Sequence, residues 1–189
     1  MSTHTISVLV EDRPGVLTRV AGLFAARGYN IDSLAVGPTE EEGLSRMTIV
    51  VDVAAKSLEQ VTKQLNKLIN VIKILEHEES SAVERELALV KVRAEGDGRA
   101  RIMEICDVFR VRVLDVTQRT MTIEAIGTPD KVQALLSLLE DYGVVEMSRT
   151  GRIALARGDR GIRERVMRPV GSRKASGGED LPDWTGGGV

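Results

Sequence analysis

The sequence predicts an α+β protein made of two tandem βαββαβ units, each an antiparallel sheet with its helices on one face. Three observations carry this. Apolar residues at period two and at period 3.6 succeed one another in the order strand, helix, strand, strand, helix, strand. The same order returns in the second half without obvious sequence identity. The 189 residues accommodate two such units of roughly 75 residues each, with a tail left over.

In the first unit, Ile6, Val8 and Val10 alternate within residues 5–10 and mark a strand, which Glu-Asp-Arg-Pro-Gly (11–15) breaks. Leu17, Val20, Ala21 and Phe24 fall on one helical face. Gly28 ends that helix, and Gly28 and Asn30 both suit a left-handed cap or turn. Ile31, Leu34 and Val36 begin a second strand, closed by Gly37-Pro38 and the acidic loop 39–43. Met47, Ile49, Val51 and Val53 form a third strand. Leu58, Val61, Leu65 and Leu68 form a second helix, and residues 71–76 form a fourth strand.

In the second unit, residues 86–93 read as a strand, and Ile102, Ile105, Cys106 and Phe109 share a helical face. Residues 111–117 and 120–126 form a strand pair around Gln118-Arg119. Thr128-Pro129 opens a helix carrying Val132, Leu135, Leu136 and Leu139, with the threonine as N-cap and the proline at the first helical position. Residues 143–149 and 152–156 are strands joined by Thr150-Gly151. The expected organisation is a first unit at 1–78, a linker at 79–84, a second ferredoxin-like unit at 85–158, and a flexible tail at 159–189. That tail is rich in Gly, Arg and Ser and lacks periodicity.

Composition narrows the function. With 3% aromatic residues and a net charge of −2, no segment offers a base-stacking or basic nucleic-acid surface. A single cysteine excludes an internal disulfide or a cysteine-based zinc cluster, and Cys106 on an apolar helical face reads as a buried structural thiol. His4 and His77 read as surface or strand-edge residues rather than general bases. No secretory signal or membrane-length apolar run is present, so a cytoplasmic protein is expected. No nucleophile–base or metal constellation of an enzyme is found.

One constellation stands apart. Glu11-Asp12-Arg13-Pro14-Gly15-Val16-Leu17 joins the first strand to a helix expected to start near Pro14, with Gly28-Tyr29-Asn30-Ile31 downstream. The leading N–H groups of a helix lack intrahelical partners and, with the helix dipole, hold an anion. Gly15 lets a ligand approach the backbone, Asp12 accepts from an ammonium, and Asn30 bonds either end of an amino acid. These groups describe a zwitterion site. The same residues also fit a plain helix start, with Asp12 as cap and Pro14 as first residue, so the motif alone leaves both readings open.

Ser7–Val20, Leu23–Val36 and Leu44–Val51 resemble an ACT domain. Lys63–Ile74, Arg85–Val92, Phe109–Val116 and Thr150–Gly158 extend the likeness, in order, to the small regulatory subunit family of acetohydroxyacid (acetolactate) synthase. The resemblance implies a non-catalytic homodimer that binds a large catalytic subunit carrying thiamine diphosphate, Mg and FAD, and that itself holds no cofactor. It implies activation of that subunit and feedback inhibition by a branched-chain amino acid, usually valine, bound where two ACT sheets join side by side. Carried over by residue, the amides of Gly15, Val16 and Leu17 receive the effector carboxylate. Asn30 and Ile31 of the facing subunit contact its polar end and side chain. Asp12 stands where some members carry asparagine. The second unit has no Pro-Gly helix start and is expected to support complex geometry, and the arginines 99, 101, 110, 112 and 119 lie among acids that leave its surface neutral. The rival readings are a free-standing amino-acid-sensing ACT signalling or transcription-regulatory protein, which would need an output domain, and a small enzyme.

Overall fold

A computed structural model describes residues 2–78, 81–159 and 161–164. The first unit runs β1 (Ser2–Glu11), α1 (Val16–Ala25), β2 (Ile31–Pro38), β3 (Leu44–Val53), α2 (Ala55–Leu65) and β4 (Val71–His77). Its sheet has the order β2-β3-β1-β4 with antiparallel neighbours. The long β1–β3 ladder, from Ser2↔Val53 to Glu11↔Leu44, forms its spine. Ile6, Val8 and Val10 with Met47, Ile49 and Val51 present one face to Val16, Val20 and Phe24 of α1 and Leu58, Val61 and Leu65 of α2. All of these are buried, which is the alternation expected from the sequence.

The second unit runs β5 (Ala82–Arg93), α3 (Gly98–Phe109), β6 (Arg112–Val116), β7 (Thr120–Gly127), α4 (Pro129–Glu140), β8 (Val144–Arg149) and β9 (Ile153–Ala156). Its sheet order β6-β7-β5-β8 repeats the first topology. Val90, Val92 and Ile123 pack against Ile102 and Cys106 of α3 and Val132, Leu135 and Leu139 of α4. As expected, Pro129 is in the first turn of α4, and Thr128 Oγ1 accepts from the Lys131 amide at 3.4 Å. Gly98 to Phe109 ends on Arg110 at φ 51°, the one non-glycine at positive φ among the described residues.

Three features differ from the sequence expectation. The first helix starts at Val16, so Pro14 precedes it, and Gly15 takes the N-cap position at φ 83°. Gly28 adopts positive φ, but Asn30 does not. His4 and His77, expected at the surface or at strand edges, are buried. His4 Nδ1 shares a 2.7 Å hydrogen bond with Glu76 Oε1, and His77 Nε2 shares one of 2.7 Å with Ser7 Oγ.

His4 shares the helix-packed face of β1 with Ile6 and Val8, whereas the burial of His77 follows from the second face of the first sheet, which is also covered. Strand β5 begins at Ala82 and changes partners along its length: residues 86–93 pair with β7 and residues 88–92 with β8, whereas residues 82–85 pair with β9. The stretch leading into β9 reaches the first sheet. The Arg152 amide donates to Ser33 Oγ at 2.8 Å, and its Nη1 donates to Thr5 Oγ1 at 3.1 Å and pairs with Glu84 at 3.0 Å. Gly151, at φ 80°, sits so close that a Cβ would lie 2.7 Å from Ser33 Oγ. Thr5, Ser7, Leu9, Thr48 and Val50 on that face are all buried. From the stretch expected to be a tail, Asp159 and residues 161–164 are described. Ile162 is buried there, and Arg163 pairs with Glu41 at 2.8 Å. The remainder of 159–189 lies outside the described residues, as do two residues of the expected linker.

Candidate functional site

The N-terminus of α1 is open. It has no side-chain cap, so Asp12 does not close it, and its first turn holds no acid. The Val16 amide donates to Arg13 O at 3.3 Å and Arg19 N to Gly15 O at 3.1 Å, while the amides of Gly15, Leu17 and Thr18 find no acceptor among the described residues. Three N–H donors thus point out of the helix end with the positive pole of the dipole behind them. Of the amides singled out from sequence, Val16's is engaged and its side chain belongs to the core; Thr18's, which the sequence reading passed over, is open.

The surroundings are fixed by polar contacts, part-buried at Glu11–Asn70 and exposed at Arg19–Asn70. The Glu11 carboxylate accepts from Asn70 Nδ2 at 2.7 Å and lies 3.4 Å from Arg13 Nε. Asn70 Oδ1 accepts from Arg19 Nη1 at 3.1 Å. Arg13 and Arg19 therefore flank the open helix end, and their positive charge reinforces the dipole for an anion. The Asp12 amide donates to Gly43 O at 2.7 Å, tying the β1–α1 turn to the acidic 39–43 loop and leaving the Asp12 carboxylate exposed. Leu17, 42% exposed, adds an apolar surface beside the open amides. No Cβ contact would arise at Gly15 within 4 Å, so the space above that residue is free for a ligand.

Asn30 and Ile31 lie at the other end of the same unit. The ten-residue α1 alone separates its two ends by about 15 Å at 1.5 Å per residue. The ladder agrees: Pro38↔Ser45 and Glu11↔Leu44 place the far end of β2 beside α1's start, whereas Ile31↔Val51 places its near end opposite. A single small zwitterion therefore does not bridge Gly15 and Asn30 within one chain. Asn30 Nδ2 donates to Asp32 Oδ1 at 3.0 Å, which leaves its Oδ1 to accept from an ammonium. Strand β2 is the sheet edge, with Val36 46% exposed.

Elsewhere the chemistry is structural. Cys106 is buried, and burial, with the neighbouring Asp107 charge second, pushes its thiol above the ordinary range. Arg99 donates to the Ala94, Thr117 and Gln118 carbonyls and clamps the β6–β7 turn. Among the described residues no helix is long and apolar enough to cross a membrane, and no group of three or more His, Cys, Asp or Glu is placed to hold a metal ion.

Comparison with known proteins agrees with this architecture. The family described as AHAS small subunit-like ACT domain matches residues 6–73, and the one described as small subunit of acetolactate synthase matches residues 85–158. The acetolactate synthase small subunit of Mycolicibacterium smegmatis is 59% identical over 160 residues, covering 85% of this chain and 94% of that one. The probable acetolactate synthase small subunit of Archaeoglobus fulgidus is 54% identical over 157 residues, covering 83% and 98%. The crystal structure of the Thermotoga maritima acetolactate synthase small subunit is similar at a TM-score of 0.78 and 40% identity, covering 84% of this chain and 99% of that one. With both units matched in order and the fold shared, the chain belongs to the acetolactate synthase small subunit family.

Proposed function

We propose that the chain is a non-catalytic regulatory subunit that activates a thiamine-diphosphate-dependent catalytic partner and makes it sensitive to valine. One observation carries the site: open amides at Gly15, Leu17 and Thr18 lie at the opposite end of the unit from Asn30 and Ile31. An unpaired strand edge is a liability that a second copy relieves. Antiparallel pairing of two β2 edges about a twofold axis sets Ile31 of one chain beside the residue 36–38 end of the other, and hence beside the other's α1 start. Each such junction offers amides and flanking arginines for a carboxylate, Asn30 Oδ1 for an ammonium, and Leu17 with Ile31 for a branched side chain.

Regulation follows from linkage. An effector shifts an equilibrium only by its differential affinity for two arrangements, and a ligand clasped between two chains senses their relative placement. The thiamine diphosphate, Mg and FAD belong to the catalytic partner. The test is reconstitution with that partner and titration of acetolactate synthesis with valine. Gly15→Asp and Asn30→Ala abolish inhibition while leaving activation in place; unchanged inhibition in both variants refutes the site.

A further inference from the structure

The covered face of the first sheet encloses a cleft that the effector reading does not use. It lies between β1, β3 and β4 on one side and Leu155, Ala156, Gly158, Asp159, Gly161 and Ile162 on the other, with a volume of about 250 Å³. Arg46, Ser7, His77 and Asp159 supply its polar lining, and Leu75 and Ile162 part of its apolar lining. Arg46 projects from β3 opposite Leu9, and its Nε is buried with no hydrogen-bond partner. Among the described residues it forms no ion pair, although Arg13, Arg149, Arg152 and Arg163 all do.

An arginine drawn partly out of water without a carboxylate is costly, because desolvation is not repaid by Coulomb attraction. A buried donor left unsatisfied in a native fold calls for a specific explanation. Of the other polar groups, Ser7 and His77 bond each other at 2.7 Å, and Asp159 lies at the cleft's margin. The guanidinium fork suits a carboxylate, which it binds through two parallel N–H bonds. The cleft falls below the roughly 300–1,000 Å³ of pockets for drug-sized ligands. It suits a molecule of a few carbons against Leu75 and Ile162.

We infer that this cleft binds a small aliphatic carboxylic acid, its carboxylate received by Arg46 and its carbon chain lying on the apolar wall. The site is separate from the α1–β2 junction, so it stands or falls independently of the effector reading. Asp159, at the cleft's margin, adds an acceptor for an ammonium where the acid is an amino acid.

The test is calorimetric titration of the full chain carrying Asn30→Ala, which removes the junction site, with valine and with its 2-oxo acid analogue as probes. Saturable binding of one molecule per chain is expected, weakened tenfold or more by Arg46→Met and to a smaller extent by Arg46→Lys, which keeps the charge but loses the fork. Preference for valine over the oxo acid assigns Asp159 a part, and equal binding assigns the affinity to Arg46; both support the inference. Thermal unfolding of both Arg46 variants near that of the parent shows that the sheet is intact. The inference is overturned if neither probe binds the Asn30→Ala chain saturably, or if Arg46→Met and Arg46→Lys bind as the parent does. Valine binding by the unmodified chain but not by Asn30→Ala overturns the cleft while supporting the junction.

Discussion

Gly15 allows the amide site to be separated from the stability of the turn that holds it. Its φ of 83° is left-handed, and a Cβ built there meets nothing within 4 Å. Gly15→Ala therefore has no steric clash to relieve, only backbone strain of about 1–2 kcal/mol. Reduced freedom of the unfolded chain offsets part of this, by about 0.4–1 kcal/mol. A net loss near 1 kcal/mol lowers the melting temperature by about 2–4 °C for a chain of this size. Gly96 supplies the matched control, since its φ is 52° and it too has nothing within 4 Å, but it lies in the second unit. Relaxing Gly15 toward negative φ re-aims its N–H and sets a methyl group where a carboxylate would rest. Losing one hydrogen bond to a charged group costs about 1.5–3 kcal/mol. At about 1.4 kcal/mol per decade, the valine concentration for half inhibition rises roughly ten- to hundredfold. The assay is valine titration of the reconstituted synthase, with melting curves of both variants beside it. Similar melting losses with inhibition weakened in Gly15→Ala alone are expected. Equal valine sensitivity in the two variants would refute the reasoning.

Two further outcomes follow from contacts elsewhere. Arg152 and Glu84 are largely shielded, with side chains 22% and 14% exposed, and Arg152 also holds Thr5 across the two units. A double-mutant cycle of Arg152→Met with Glu84→Gln in urea unfolding gives a coupling of about 1–3 kcal/mol, and additive losses contradict the clasp. For Cys106, the folded state holds the thiol proton more tightly than the unfolded chain, whose thiol ionises near pH ~8.5. That contribution is complete below the unfolded value and is lost as pH rises toward the raised one. The stability advantage of the parent over Cys106→Ala thus shrinks as pH rises above about 8.5, and a difference constant with pH contradicts the buried thiol.

What was legible in the sequence is what local periodicity encodes. Ile6, Val8 and Val10, or Val132, Leu135 and Leu139, reveal their element and its inner face because the pattern repeats within one segment. Thr128-Pro129 reveals a helix start because cap and proline act within one turn. The rest depends on partners far along the chain. Thr5, Ser7 and His77 are polar residues on a covered face, and what covers them is a ribbon about 75 to 150 positions later. The double duty of β5 is hidden in an unbroken strand pattern from Ala82 to Arg93. In the candidate site, the open helix end was readable from Pro14-Gly15, but not that glycine itself would occupy the N-cap, which moves the helix start to Val16 and frees the Thr18 amide. The separation of Asn30 from Gly15 is a property of the sheet's register.

The central claim, a site built from two copies, is tested most directly by mixing the two defective chains. Gly15→Asp and Asn30→Ala each spoil every junction in a homodimer, one through α1 and the other through β2. A dimer of one of each spoils one junction twice and leaves the other with an intact α1 and an intact β2. After subunit exchange at equal concentration, about a quarter of junctions are whole. Valine inhibition of the reconstituted synthase, absent with either variant alone, therefore returns in part with the mixture. A mixture as insensitive to valine as its two components would contradict the account.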